Sequence, residues 1–142
     1  QVMNLMASLQ ERLQLTYLFI AHDLAAVRHI SDRVAVMYLG KLCEVSESNA
    51  LYTNPAHPYT KLLLSSSPIP DPDAELDTSV IEQADVPSPI DPPSGCRFRT
   101  RCDYATDLCA VEEPSMKKIS DDHYVACHHP LVSVPNAAEV SA

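Results

Sequence analysis

Thr16-Tyr17-Leu18-Phe19-Ile20-Ala21-His22-Asp23-Leu24 is the stretch on which the fold turns. Residues 16–21 are almost continuously apolar and rich in strand formers. A strand of that kind needs cover on both faces, which predicts the centre of a parallel sheet flanked by helices. Asp23 then caps a short helix, Leu24–Ile30, by accepting from its free backbone amides. Upstream, Val2, Leu5, Met6, Leu9 and Leu13 recur at helical spacing and predict an amphipathic helix over about residues 2–14. Downstream, Arg33–Tyr38 and Lys41–Val45 read as two more strands of the buried type, joined through Gly40 as a tight hairpin turn. Ser46–Tyr52 reads as one or two helical turns. Pro58, at a first helical position, opens a helix through about Ser65. The expected class is α/β.

Composition sharpens this. The 142 residues include only two glycines, Gly40 and Gly95, so no phosphate-cradling loop of the G-x-x-x-x-G-K-[ST] or G-x-G-x-x-G type is present. The longest apolar runs, Tyr17–Ala21 and Val34–Leu39, fall far short of the roughly 20 residues that a membrane helix needs. The formal charge of −9 is unevenly placed. Residues 1–66 are neutral overall, whereas residues 67–95 hold seven acids, no base and seven of the 12 prolines. Nucleic acid is excluded as a partner, because no basic stripe exists to neutralise phosphates. The chain therefore divides into an α/β segment (1–66), an acidic proline-rich linker (67–95), a loop-rich four-cysteine module (96–130) and a frayed tail (131–142). Gln1 falls inside a helical pattern, so the expectation is the trailing edge of a larger α/β domain, with residues 1–66 unstable in isolation.

Two sets of residues carry chemistry. Cys96, Cys102, Cys109 and Cys127 fall within 32 residues that contain little apolar material for a core. Disulfides, structural zinc and an iron–sulfur cluster compete. The α/β segment reads as cytosolic, where structural disulfides are rare. The gaps of five and six residues depart from the tight pairs of zinc knuckles, although His123, His128 and His129 stand by as substitute ligands. Irregular gaps are common around iron–sulfur clusters, and thiolate softness alone does not choose between the metals. Cys43, alone in a strand, reads as a small core hydrophobe. His22 stands where the first strand ends, the place where open α/β sheets bind ligands, and can exchange hydrogen bonds with a phosphate oxygen. A packing role competes with that reading. His29 reads as a surface residue and His57 as a turn or cap.

The segment from Thr16 through His22-Asp23-Leu24 to Leu39-Gly40 closely resembles the switch-histidine region of ABC-transporter ATPases. Asn54-Pro55-Ala56-His57-Pro58-Tyr59-Thr60, Asp85-Val86-Pro87-Ser88-Pro89 and Pro92-Pro93-Ser94-Gly95-Cys96 are similar to the C-terminal extension of the ATP-binding subunits of oligopeptide/dipeptide importers. Ser67-Pro68-Ile69-Pro70-Asp71-Pro72-Asp73 is most similar to the second ATPase subunit of oligopeptide permeases. The resemblance implies the C-terminal part of an ABC-type P-loop ATPase domain, with His22 at the γ-phosphate of ATP bound with Mg²⁺. It also implies a [4Fe–4S] cluster on Cys96, Cys102, Cys109 and Cys127. Its implied partners are a second ATP-binding subunit, two membrane permease subunits and, indirectly, a peptide-binding protein, at the cytoplasmic face of the inner membrane. The phosphate loop, signature motif and catalytic glutamate are not among these residues, so the chain alone is expected to be inactive. The competing reading is a non-catalytic iron–sulfur or zinc module used for protein docking.

Overall fold

A computed structural model describes residues 2–66 and 87–133. In chain order its elements are α1 (Val2–Leu13), α2 (Leu24–Ile30), β1 (Arg33–Tyr38), β2 (Lys41–Glu47), α3 (Ser48–Thr53), α4 (Pro58–Ser65), a 3₁₀ turn (Arg99–Arg101), α5 (Asp107–Val111), β3 (Lys117–Ser120) and β4 (His123–Val125). The four strands form one sheet in the order β1-β2-β4-β3. The part of the linker over 67–86 and the tail over 134–142 lie outside the described residues.

Every pairing among the described strands runs antiparallel, and the parallel sheet expected around residues 16–21 is not among them. Between β1 and β2 this is the hairpin expected through Gly40. Leu39 and Gly40 both take positive φ, 44° and 79°, and form a two-residue turn between paired Tyr38 and Lys41. Positive φ at both turn positions twists two strands back onto each other. Residues 16–21 form no strand, and Leu18 and Ile20 are 91% and 88% exposed. A strand needs a neighbour to take its backbone hydrogen bonds, and no described strand lies beside this run. β1 also differs from a two-faced buried strand: Val34, Val36 and Tyr38 point inward while Arg33, Ala35 and Met37 are exposed.

The helices follow their caps. Asp23 Oδ1 accepts from the amides of Ala25 and Ala26 at 3.0 and 3.2 Å, starting α2 where expected. Glu47 accepts from Asn49 and Ala50, both at 3.0 Å, so β2 runs two residues beyond Val45 before α3 begins. His57 caps α4: its Nδ1 accepts from Tyr59 N–H at 3.0 Å, in keeping with its reading as a cap.

A bulge decides what β2 buries. Val36 pairs with Glu44 and Met37 with Leu42, which leaves Cys43 as the extra residue. Strand residues normally alternate between faces, and a bulge breaks that alternation. Cys43 and Glu44, neighbours in sequence, are accordingly both buried. The cysteine-bearing segment adds to this strand: Val45 and Glu44 pair with Tyr124 and Val125 of β4, and Ala126 N–H donates to Cys43 C=O at 2.8 Å.

Buried Glu44 then acts as a hub. Its Oε1 accepts from Ala56 N–H at 2.8 Å and from His123 Nε2 at 2.7 Å, and its Oε2 accepts from His57 N–H at 2.9 Å. Tyr38, Tyr59 and Phe98 meet beside it, with Tyr38 and Tyr59 centroids 4.7 Å apart and both 5.3 Å from Phe98. This cluster joins β1, α4 and the segment before the 3₁₀ turn. Val34, Val36 and Leu51 form the apolar cluster on the α2 and α3 side, with Val27 and Tyr52 against it.

Burial lowers the His57 pKa from 6.5 to about 4, partly offset by Glu44. The neutral ring is also the one whose Nδ1 can accept the cap hydrogen bond. A depressed histidine adds stability above its unfolded pKa and loses it as pH falls through the folded value. Unfolding free energy measured in urea should therefore fall between pH 6.5 and 4, with a His57 share on the order of 3 kcal/mol. His57→Asn, which keeps a capping acceptor without a titrating ring, should flatten that part of the profile.

Candidate functional site

His22 is exposed, at the end of the extended run 16–21 and one residue before the Asp23 cap of α2. Its neighbourhood is held by that cap and by Tyr52, whose hydroxyl donates to the Leu24 carbonyl. Arg28, one turn further along the same face of α2, lies 5.1 Å from the centroid of that Tyr52 ring, a cation–π contact. His22 itself stands just before this capped helix and is exposed.

The four clustered cysteines come from separate places in the chain: Cys109 lies in α5, and Cys96, Cys102 and Cys127 lie outside the helices and strands. Cys96 N–H donates to Cys109 C=O at 2.8 Å. That approach depends on Gly95, whose φ is +62° and where an added Cβ would stand 2.4 Å from the Cys109 oxygen. Cys102 follows the 3₁₀ turn, whose last amide bond runs from Cys102 to the Arg99 carbonyl. Cys127 follows Ala126, the residue bonded to Cys43 across β2. All five cysteines are free thiols. The disulfide reading therefore has no support among the described residues.

Electrostatics register their proximity. Burial pushes the Cys127 thiol up to about 11, and the nearness of Cys96, Cys102 and Cys109 adds to the rise. Burial also raises Cys96 and Cys102, each further raised by Cys109. Cys43 is pushed up to about 12, first by burial and then by Cys96. It borders a cavity of about 50 Å³ together with Tyr38, His57, Cys96, Phe98 and Ala126. Each thiolate would make the next harder to form, which keeps these thiols protonated near neutral pH.

Among the described residues, no three of His, Cys, Asp and Glu are drawn together as one metal ion requires. Four thiolates on a tetrahedral zinc would be packed about 4 Å apart, given a Zn–S bond near 2.3 Å. His123 is withdrawn from ligation by Glu44, and His128 Nε2 donates to the Glu112 carbonyl at 3.0 Å. His129 alone of the three reaches the thiols, through its amide to Cys127 Sγ at 3.3 Å. Sequence reasoning missed Glu44 and the β3–β4 hairpin. The hairpin had a signal in Asp121-Asp122 between the strand formers Ile119 and Tyr124-Val125.

In the cluster-free, reduced chain at pH 8, iodoacetamide should label Cys96 and Cys102 before Cys127 and Cys43. Thiolate fractions of roughly one in a thousand at Cys127 and one in ten thousand at Cys43 follow from their raised pKa values. Peptide mass spectrometry over a time course reads the order; Cys43 labelling first would contradict it.

Residues 43–109 match the family model described as the oligopeptide/dipeptide transporter, C-terminal region. Over 128 residues the chain is 52% identical to the oligopeptide transport ATP-binding protein OppF of Haemophilus influenzae, covering 89% of this chain and 39% of that protein. Over 129 residues it is 50% identical to the oligopeptide transport ATP-binding protein AppF of Bacillus subtilis, covering 90% of this chain and 39% of that protein. The chain thus spans about two fifths of the length of these curated relatives. No described helix is long and apolar enough to cross a membrane. Over residues 43–109 the chain is thus similar to the C-terminal region of the oligopeptide/dipeptide transporters, and along most of its length to oligopeptide transport ATP-binding proteins.

Proposed function

We propose that this chain forms the C-terminal part of an ATP-hydrolysing subunit of an ABC importer for oligopeptides or dipeptides. The observation that carries the reading is its similarity to oligopeptide transport ATP-binding proteins across a span that includes His22 at the head of α2. Phosphoryl transfer of this kind rests on positioning and on stabilising charge around the phosphates and Mg²⁺. His22 serves as the switch histidine: its imidazole hydrogen-bonds the γ-phosphate and orients the attacking water, near neutral pH where the ring can donate or accept. The remaining phosphate contacts come from residues outside this chain, since it has no glycine-rich loop. The subunit pairs with a second ATP-binding subunit and docks on two permease subunits at the cytoplasmic face of the membrane, which pass the peptide; a peptide-binding protein is its partner only indirectly.

Cys96, Cys102, Cys109 and Cys127 hold a [4Fe–4S] cluster in this reading. The support is the resemblance of these four positions to the family's cysteines and the nearness of the free thiols, each of Cys96 and Cys109 adding to the pKa of Cys127 already raised by burial. When bound, the cluster supplies four covalent ties where the segment has little apolar core. The division at residues 66, 95 and 130 belongs to the same proposal, with 1–66 as the ATPase part and 96–130 as the cysteine part.

His22→Ala in the full-length subunit should lower ATP turnover by about 10²-fold, the scale expected for losing one positioned transition-state contact. Equilibrium binding of a nucleotide triphosphate analogue should change little. Unaltered turnover would overturn the role given to His22.

A further inference from the structure

His22 stands just before α2, and two sets of bonds fix the start of that helix. The first is local: Asp23 accepts from the Ala25 and Ala26 amides and sets the angle at which the chain enters the helix. The second comes from 28 residues further along the chain, where the Tyr52 hydroxyl donates to the Leu24 carbonyl at 2.5 Å. Leu24 is the first residue of α2, two positions after His22. Local bonds hold a seven-residue helix weakly, because helices this short are marginal without packing.

The Tyr52 side is firmly seated. Leu51 beside it is completely buried against Val34 and Val36 and fastens α3 to β1. The Tyr52 ring packs on this cluster, as does Val27 from α2. Arg28 stands one turn after Leu24 and lies over the Tyr52 ring, so hydroxyl and ring meet the same face of α2. At the other end, Ser48 N–H donates to the Asp32 carbonyl at 2.8 Å, just past the end of α2. The two helices therefore run antiparallel, and α3 holds α2 at both ends. Burial raises the pKa of the Tyr52 phenol above its ordinary value, which keeps the hydroxyl a donor at neutral pH.

Tyr52 and Ser48 belong to residues 43–109, the stretch similar to the transporter C-terminal region, whereas His22 precedes it. A hydroxyl that fixes a carbonyl two residues from the imidazole limits where the ring can stand without touching it. A group that must meet a phosphate oxygen loses rate when its position spreads, since misplacement by even about 1 Å is costly.

We propose that Tyr52 is a positioning residue for His22: through the Leu24 carbonyl, α3 holds the start of α2 so that the imidazole stands ready for the γ-phosphate. The inference rests on the switch-histidine reading above, and it gives the C-terminal region a share in ATP turnover. The test uses the full-length subunit. Tyr52→Phe keeps the ring, its packing and its contact with Arg28, and removes the hydroxyl alone. Its kcat should fall about 3- to 10-fold, the range for losing one hydrogen bond, while KM for ATP changes little. In the nucleotide-free subunit, the Val27 and Arg28 amides in the first turns of α2 should exchange faster than in the unaltered protein. Adding Tyr52→Phe to His22→Ala should cost nothing further, because the hydroxyl acts through that ring. A general loosening of the fold would instead cost the same factor in both backgrounds. Unchanged kcat or unchanged exchange in Tyr52→Phe would overturn the inference and leave the His22 reading standing. So would the full single-variant loss repeated on top of His22→Ala. Unaltered turnover in His22→Ala would overturn that reading and the inference with it.

Discussion

A carboxylate shut away from water organises this molecule. Glu44 is completely buried, and an ionised group in that position is tolerated only when donors surround it. All three of its donors come from outside its own strand: two amides from the Ala56-His57 corner and one imidazole from β4, 79 residues along the chain. The bulge at Cys43 makes this possible, because regular alternation would have turned one of the two neighbours outward. The same carboxylate thus fixes the start of α4 and seats the cysteine-bearing segment on the β1–β2 hairpin.

From that hub the structure is continuous in two directions. Toward the thiols, Ala126 bonds to Cys43 and leads directly into Cys127, while Gly95 admits Cys96 against Cys109. Toward α2, Val34, Val36 and Leu51 pack with Val27 and Tyr52, and the Tyr52 hydroxyl holds the first turn of α2 beside His22. Both directions start from the inward face of β1, where Tyr38 meets Phe98 with Cys96 and Cys102, and Val34 and Val36 meet Leu51 with Val27. By contrast, the exposed Lys41–Glu113 pair, at 2.7 Å, adds little to this union, since water and salt screen a solvated ion pair.

What the sequence made legible was local. Asp23 as a cap, Gly40 as a hairpin turn, Pro58 as a helix start and His57 as a cap rather than a ligand all follow from short-range backbone chemistry, and each stands in the structure. Long-range pairing was not legible. Residues 16–21 have strand composition but no described partner, and strand propensity is chiefly a statement about neighbours. The union of β2 with β4 spans about 80 residues, and nothing in the local pattern of Lys41–Glu47 marks Glu44 as an inward-facing acid. Its burial depends on a one-residue register shift that composition does not encode.

The most direct test of this account is amide hydrogen exchange on Glu44→Ala compared with the unaltered protein. If one carboxylate joins the two parts, protection should fall together at Ala56 and His57, which lose their acceptor, and at Val125 and Ala126, which are held to β2 only as β4 stays seated. Protection lost at Ala56 and His57 while Val125 and Ala126 remain as slow to exchange as before would contradict it.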